Sequence, residues 1–176
     1  MHFLTVTENE GITEETENIE DKFLFQESKQ RAVRFEGEKR VVMISARVHP
    51  AETPSSHTFN GLVKFLLSKY LSSKIRDARA HYLRKNFIFK LVPMLNPDGV
   101  ANGHYRMDVF NQNLNRYYQN PDPLLQPSAY AVKQIGKHYS SSSKNKLCFY
   151  MDLHAHPQRK GNFIYGNNFE SPEVQI

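Results

Sequence analysis

The sequence predicts an α/β fold with helices on both faces of a parallel or mixed sheet. Three observations carry this. Apolar runs at residues 41–47, 87–92 and 147–153 are dense enough to be buried strands. Stretches with apolar residues at helical spacing separate them, as βαβ units require. Each apolar run is followed by polar, chemistry-bearing residues: His49 and Glu52, then Asn96 to Gly99, then His154. In such sheets ligands gather at the carboxyl ends of the strands. Three sequence-distant clusters are therefore expected on one edge.

In chain order, residues 3–7 alternate as a short strand. Residues 9–30 are acidic and polar and read as a surface loop with room for one helical turn. The buried strand at 41–47 follows. Thr53 is a hydroxyl cap candidate and Pro54 suits a first helical turn. Phe59, Leu62, Val63, Leu66, Leu67 and Tyr70 continue that helix with one apolar face. A shorter helix is expected over 75–85, then a strand over 87–92 ending at Pro93. Asn96-Pro97-Asp98-Gly99 is turn chemistry. Residues 100–127 are loop-rich, 128–139 read as a helix, 147–153 as a strong strand and 163–165 as a short fourth one.

The chain has 176 residues, enough for one domain with a core. Hydrophobic residues make up 39% and charged residues 23%, the balance of a soluble domain. No apolar run approaches the ~20 residues that span a bilayer, and the first residues lack the basic and apolar regions of a signal peptide. The single cysteine, Cys148, cannot form an internal disulfide and favours a reducing compartment. It lies in an apolar run, which predicts a buried, inert thiol. The net charge of +5 is uneven: residues 1–30 hold eight acids and two bases, the remainder ten acids and 21 bases. A basic surplus of this kind favours an acidic partner.

Zinc prefers nitrogen, sulfur and carboxylate ligands, and a catalytic site keeps one position for water. His49 and Glu52 could face one ion from a turn, with His154 arriving from an adjacent strand end. His-x-x-Glu is common by chance and says little alone. His57, His81 and His138 read as ordinary helix residues, whereas His156 competes with His154, since alternate strand residues point the same way. Arg116 follows Asn113 and Asn115, and a guanidinium beside an amide suits a terminal carboxylate. Arg106 is a second cation able to stabilise an oxyanion.

Five blocks together resemble the zinc metallocarboxypeptidases. They are His49-Pro50-Ala51-Glu52-Thr53-Pro54-Ser55-Ser56, Pro93-Met94-Leu95-Asn96-Pro97-Asp98-Gly99-Val100, Gly103-His104-Tyr105-Arg106, Asn113-Leu114-Asn115-Arg116 and Asp152-Leu153-His154-Ala155-His156. More narrowly they resemble the cytosolic carboxypeptidase branch that trims glutamate from tubulin, and residues 35–37 and 161–169 look most like its type 5. The resemblance implies an α/β/α sandwich around a mixed, mostly parallel sheet. It implies one zinc ion held by His49, Glu52 and His154, with Asn115 and Arg116 on the substrate's terminal carboxylate. Arg106 would steady the scissile carbonyl and its oxyanion. A zinc-acidified water and a glutamate base would hydrolyse the bond. His156 would then line the cleft. Asn113 stands where many secreted members carry a carboxylate supporting a zinc histidine.

The expected substrate is C-terminal or branched glutamate on acidic protein tails such as tubulin, in the cytoplasm or on the cytoskeleton, with neither nucleic acid nor membrane as partner. The family's catalytic glutamate lies well downstream of its last zinc ligand, and here only Glu170 and Glu173 follow His154. Residues 1–176 therefore look like part of a catalytic domain, apparently C-terminally truncated and without the branch's N-terminal β-sandwich. Such a truncated sheet is expected to expose an edge, and little peptidase activity is expected from this stretch alone. Two further readings stay open. One is a catalytically impaired zinc-containing binder of acidic tails. The other is a zinc deacylase of small acyl-amino acids, against which the Asn96–Gly99 and Asn113–Arg116 blocks argue.

Overall fold

The computed structural model describes residues 1–19, 21–25, 32–68 and 77–167. Four strands form the main sheet: β1 (Leu4–Val6), β4 (Arg40–Ala46), β5 (Phe87–Val92) and β6 (Leu147–Leu153), in the order β1-β5-β4-β6. β4 runs parallel to both β5 and β6, and β1 closes the other side antiparallel to β5. The sheet is thus mixed and mostly parallel. A hairpin-like pair, β2 (Ile12–Thr16) with β3 (Val33–Phe35), stands apart.

Alternation along the strands builds two cores. Val41 and Met43 of β4 and Ile88 and Val92 of β5 meet Val132, Ile135 and Tyr139 of helix α4 (Pro127–Ser141). Ile44 and Ala46 with Phe89 and Leu91 meet Phe59 and Leu66 of α1 (Thr53–Leu66) on the opposite face. Helix α2 (Ala78–Asn86) packs beside α1, and a one-turn helix, α3 (Pro97–Ala101), follows β5. Helices therefore cover both faces, the predicted α/β/α layering. Because β4, β5 and β6 are parallel, their carboxyl ends share one edge. The Pro50 loop, α3 and His154 all lie there.

Helix α1 starts at Thr53, and the cap position falls on Glu52, whose side chain makes no capping bond. The Ser55 hydroxyl donates to the Glu52 carbonyl at 2.7 Å, and the Glu52 carboxylate turns to His49 and His154. Tyr70 and the start of the helix expected over 75–85 lie outside the described residues, as do residues 26–31, 168–169, Glu170 and Glu173.

Three expectations need correction. The acidic N-terminal segment is no plain surface loop: it contains β2, and Glu17 reaches inward to Lys90. Residues 163–165 form no strand. Strands need a neighbour to satisfy their backbone groups, and here Phe163 and Tyr165 meet edge to face with the Arg159 guanidinium over both rings. Cys148 is exposed. It lies on β6, the outermost strand among those described, where Phe149 is 49% exposed as well. An apolar run predicts burial only where something covers both faces.

Candidate metal centre

The centre is built by the turn after β4. Arg47 adopts a left-handed backbone, φ 60°, a conformation that costs a residue with a Cβ about 1 kcal/mol. Its guanidinium holds the turn: Nε donates to the Pro50 carbonyl at 2.7 Å and Nη1 to Ser56 Oγ at 2.8 Å. The neighbouring turn supports it from below. Asn96 is buried, its amide donates to the Val48 carbonyl at 3.2 Å and its Oδ1 accepts from Gly99 N–H at 3.0 Å. Gly99 abuts Pro50 so closely that a Cβ would lie 2.7 Å from Pro50 Cγ. The Tyr105 carbonyl accepts from Ala51 N–H at 3.0 Å, which ties the loop carrying Arg106 to the same turn.

This scaffold brings His49, Glu52 and His154 together. Glu52 Oε1 lies 2.8 Å from His49 Nδ1, and Oε2 lies 3.0 Å from His154 Nδ1. One ligand atom from each residue falls within 4.8 Å of the others. Ala155 N–H donates to Glu52 Oε2 at 2.9 Å. The far nitrogens are also engaged: His49 Nε2 lies 3.0 Å from Asn113 Oδ1, and His154 Nε2 lies 3.0 Å from Asp152 Oδ2. The oxygen assignment at Asn113 agrees with the Asn115 N–H that donates to it at 3.1 Å.

The donor set fits a zinc ion on two counts. Two ligands about 2.1 Å from a tetrahedral ion are ~3.4 Å apart, so the observed nitrogen–oxygen spacings of 2.8 and 3.0 Å would open by about half an ångström to admit it. Moreover, each imidazole faces oxygen acceptors on both nitrogens, whereas a neutral imidazole has one N–H. A cation among the Nδ1 atoms and the carboxylate removes that conflict. Without metal, protons must serve. Burial works against charge on Glu52, but hydrogen bonds from His154, His49 and Ala155 outweigh it and hold the carboxyl well below the usual range. Burial likewise opposes charge on His154, yet its bonds to Asp152 and Glu52 push it up to about 9.

Arg106 joins the cluster, with Nη1 3.8 Å from Glu52 Oε1 and a half-open side chain. Asn115 and Arg116 lie on a single 3-10 turn (Leu114–Arg116) directly after Asn113, with Arg116 pointing to solvent. His156 does not join. β6 ends at Leu153, so strand alternation stops before it, and its Nδ1 accepts the Gln158 and Arg159 N–H groups at 3.2 Å each. His104 is likewise occupied, with Nδ1 3.1 Å from the Asp108 carbonyl. The residues that composition and spacing miss are Ser45, Tyr118 and Tyr150, which surround Asp152. Asp152 two residues before His154 was the available signal for a carboxylate beside that histidine, whereas nothing local marks the three hydroxyls.

Comparison with known proteins shows what the whole chain is similar to. The family described as zinc carboxypeptidase matches residues 1–122. Cytosolic carboxypeptidase 6 of Caenorhabditis elegans is 44% identical over 133 residues, 76% of this chain and 28% of that protein. Cytosolic carboxypeptidase-like protein 5 of Danio rerio is 51% identical over 135 residues, 77% of this chain and 14% of that protein. Both types are thus similar to the chain, which spans between 14% and 28% of their length. The crystal structure of a metallo-carboxypeptidase from Burkholderia cenocepacia superposes with a TM-score of 0.60 at 30% identity, covering 68% of this chain and 30% of that one.

Proposed function

The chain belongs to the zinc carboxypeptidase family, in its cytosolic carboxypeptidase branch, and on that footing we propose that it carries the metal centre of an enzyme removing glutamate from acidic protein tails. The observation that carries this reading is the Glu52 carboxylate held between Nδ1 of His49 and Nδ1 of His154, with Arg106 beside it. His49, Glu52 and His154 would hold one zinc ion. Bound there, zinc supplies a Lewis acid that polarises a carbonyl and acidifies water.

The remaining work falls to side chains. Arg106, with Nη1 3.8 Å from Glu52 Oε1, would supply a fixed cation to a carbonyl oxygen gaining negative charge, which favours the transition state over the ground state. Arg116 and Asn115 offer a planar fork and an amide to a terminal carboxylate. Their place directly after Asn113, which itself touches His49, supports a carboxylate grip near the metal centre. The surplus of bases after residue 30 suits glutamate-rich tails, of which tubulin's are the leading case, in the cytoplasm. After His154 no acid occurs before Glu170, so the general base is not among residues 155–167.

Metal analysis should find about one zinc per chain, abolished by His49→Ala. Glutamate release from peptides ending in glutamate should be strong for the gene product that carries this chain and slight for residues 1–176. Absence of zinc from the wild-type chain would sink the metal centre. Vigorous glutamate release by residues 1–176 would show that the base lies within them.

A further inference from the structure

The two histidines of the centre are supported unequally. His49 Nε2 faces a neutral amide, Asn113 Oδ1, whereas His154 Nε2 faces a carboxylate, Asp152 Oδ2, each at 3.0 Å. Asp152 is itself built in. Ser45 is its direct partner across β4 and β6, is fully buried, and donates its hydroxyl proton to Asp152 Oδ1 at 2.7 Å. With that proton committed, the Tyr150 hydroxyl, 2.9 Å away, donates to Ser45 Oγ. Tyr118 O–H donates to Asp152 Oδ2 at 3.3 Å. Three hydroxyls from two strands and a loop thus form a directed network that ends on one carboxylate oxygen pair. Oδ2 of that pair also faces the His154 imidazole.

We infer that Asp152, clamped by Ser45 and Tyr118, is the positioning residue that gives this metal centre its anionic support, and that it acts through His154 rather than His49. A carboxylate on the far nitrogen fixes the tautomer and ring angle and raises the basicity of the nitrogen facing the metal. Asn113 orients His49 but adds no charge, so the electrostatic contribution comes from the β6 side. Asp152 lies on β6 and His154 directly after its end, the two side chains meet at 3.0 Å, and the β4 register puts Ser45 opposite Asp152. Asp152 and Ser45 are therefore anchored in the sheet, with Tyr118 added from a loop.

This inference rests on the reading of His49, Glu52 and His154 as zinc ligands, and its test separates the two. Zinc affinity of the chain is measured by competition with a chromophoric chelator, and cobalt absorption reports ligand geometry. Asp152→Asn should weaken zinc by roughly 10–100-fold while the chain still folds by circular dichroism. Asn113→Asp added to Asp152→Asn should recover most of the loss, because it returns a carboxylate to the other histidine. A purely structural role would not give that recovery. Should Asp152→Asn fail to fold, Tyr118→Phe and Ser45→Ala carry the test, each with weaker zinc binding and a shifted cobalt spectrum. Wild-type affinity in Asp152→Asn, or no recovery in the double variant, would overturn the assignment. A wild-type chain that takes no zinc would overturn the metal reading beneath it.

Discussion

At the residue scale, the protonation of His154 decides how the centre takes up metal. Its imidazole is held up to about 9, against an ordinary value of 6.5, because bonds to Asp152 and Glu52 outweigh burial. At pH 7 it therefore carries a proton without metal, and a ligand must lose that proton to bind. Glu52, held below the usual carboxylate range, has none to lose. Zinc uptake at pH 7 should release about one proton from His154, and apparent affinity should climb up to about tenfold per pH unit until near pH 9. Titration calorimetry at pH 7 in two buffers of different ionisation heat checks the first point. Chelator competition across pH checks the second. A flat profile would mean that His154 is already neutral. His49, Glu52 and His154 were legible in the sequence because they follow apolar runs at strand ends. Ser45 was not, since its partnership with Asp152 depends on a strand register that no local pattern encodes.

At the element scale, the centre depends on how α3 packs under the Pro50 turn. A Cβ at Gly99 would lie 2.5 Å from Asn96 Oδ1 and 2.7 Å from Pro50 Cγ. Both neighbours are held: Asn96 by its buried bonds, Pro50 by Arg47. Gly99→Ala should therefore lower the melting temperature and weaken zinc binding together, since it displaces the turn that carries His49. Gly136 is the control. It lies inside α4, where an added methyl group would meet no neighbouring atom within 4 Å, and Gly136→Ala should raise stability by about 0.5–1 kcal/mol with zinc affinity unchanged. Thermal melts and chelator competition on both variants decide it. Elements β4, β5 and β6 were legible from their apolar runs. β2 was not: Ile12-Thr13-Glu14-Glu15-Thr16 is mostly exposed and polar, and its strand character comes from pairing with Val33–Phe35 far along the chain. Residues 163–165 show the converse, with aromatic strand composition but no strand neighbour.

At the scale of the whole molecule, the charge asymmetry has a structural role that composition alone conceals. Lys90 lies in the middle of β5 with its side chain fully buried, and it is met by Glu17 from the acidic N-terminal segment and by Thr5 Oγ1 at 2.8 Å. The rings of Phe3 and Tyr139 flank the ammonium at 5.6 and 5.4 Å. Burial lowers the lysine's pKa, and Glu17 opposes that fall. Glu8 likewise meets buried Arg84 at 2.7 Å. Part of the acidic segment is thus the counter-charge for basic groups inside the fold. Each such pair sets one acid of the N-terminal segment against one later base, so the pairs leave the net charge of +5 unchanged. Removing one partner of a buried pair strands the other, at a cost of about 3 kcal/mol or more. Glu17→Ala should therefore lower the melting temperature by roughly 6–12 °C. Replacing both partners with apolar residues of similar size, Glu17→Leu with Lys90→Met, should recover most of that loss, because no buried charge remains. Thermal melts of the single and double variants measure the coupling. A loss in the double variant equal to or larger than in Glu17→Ala would mean that the pair itself, rather than the stranded lysine, holds the N-terminal segment to the sheet.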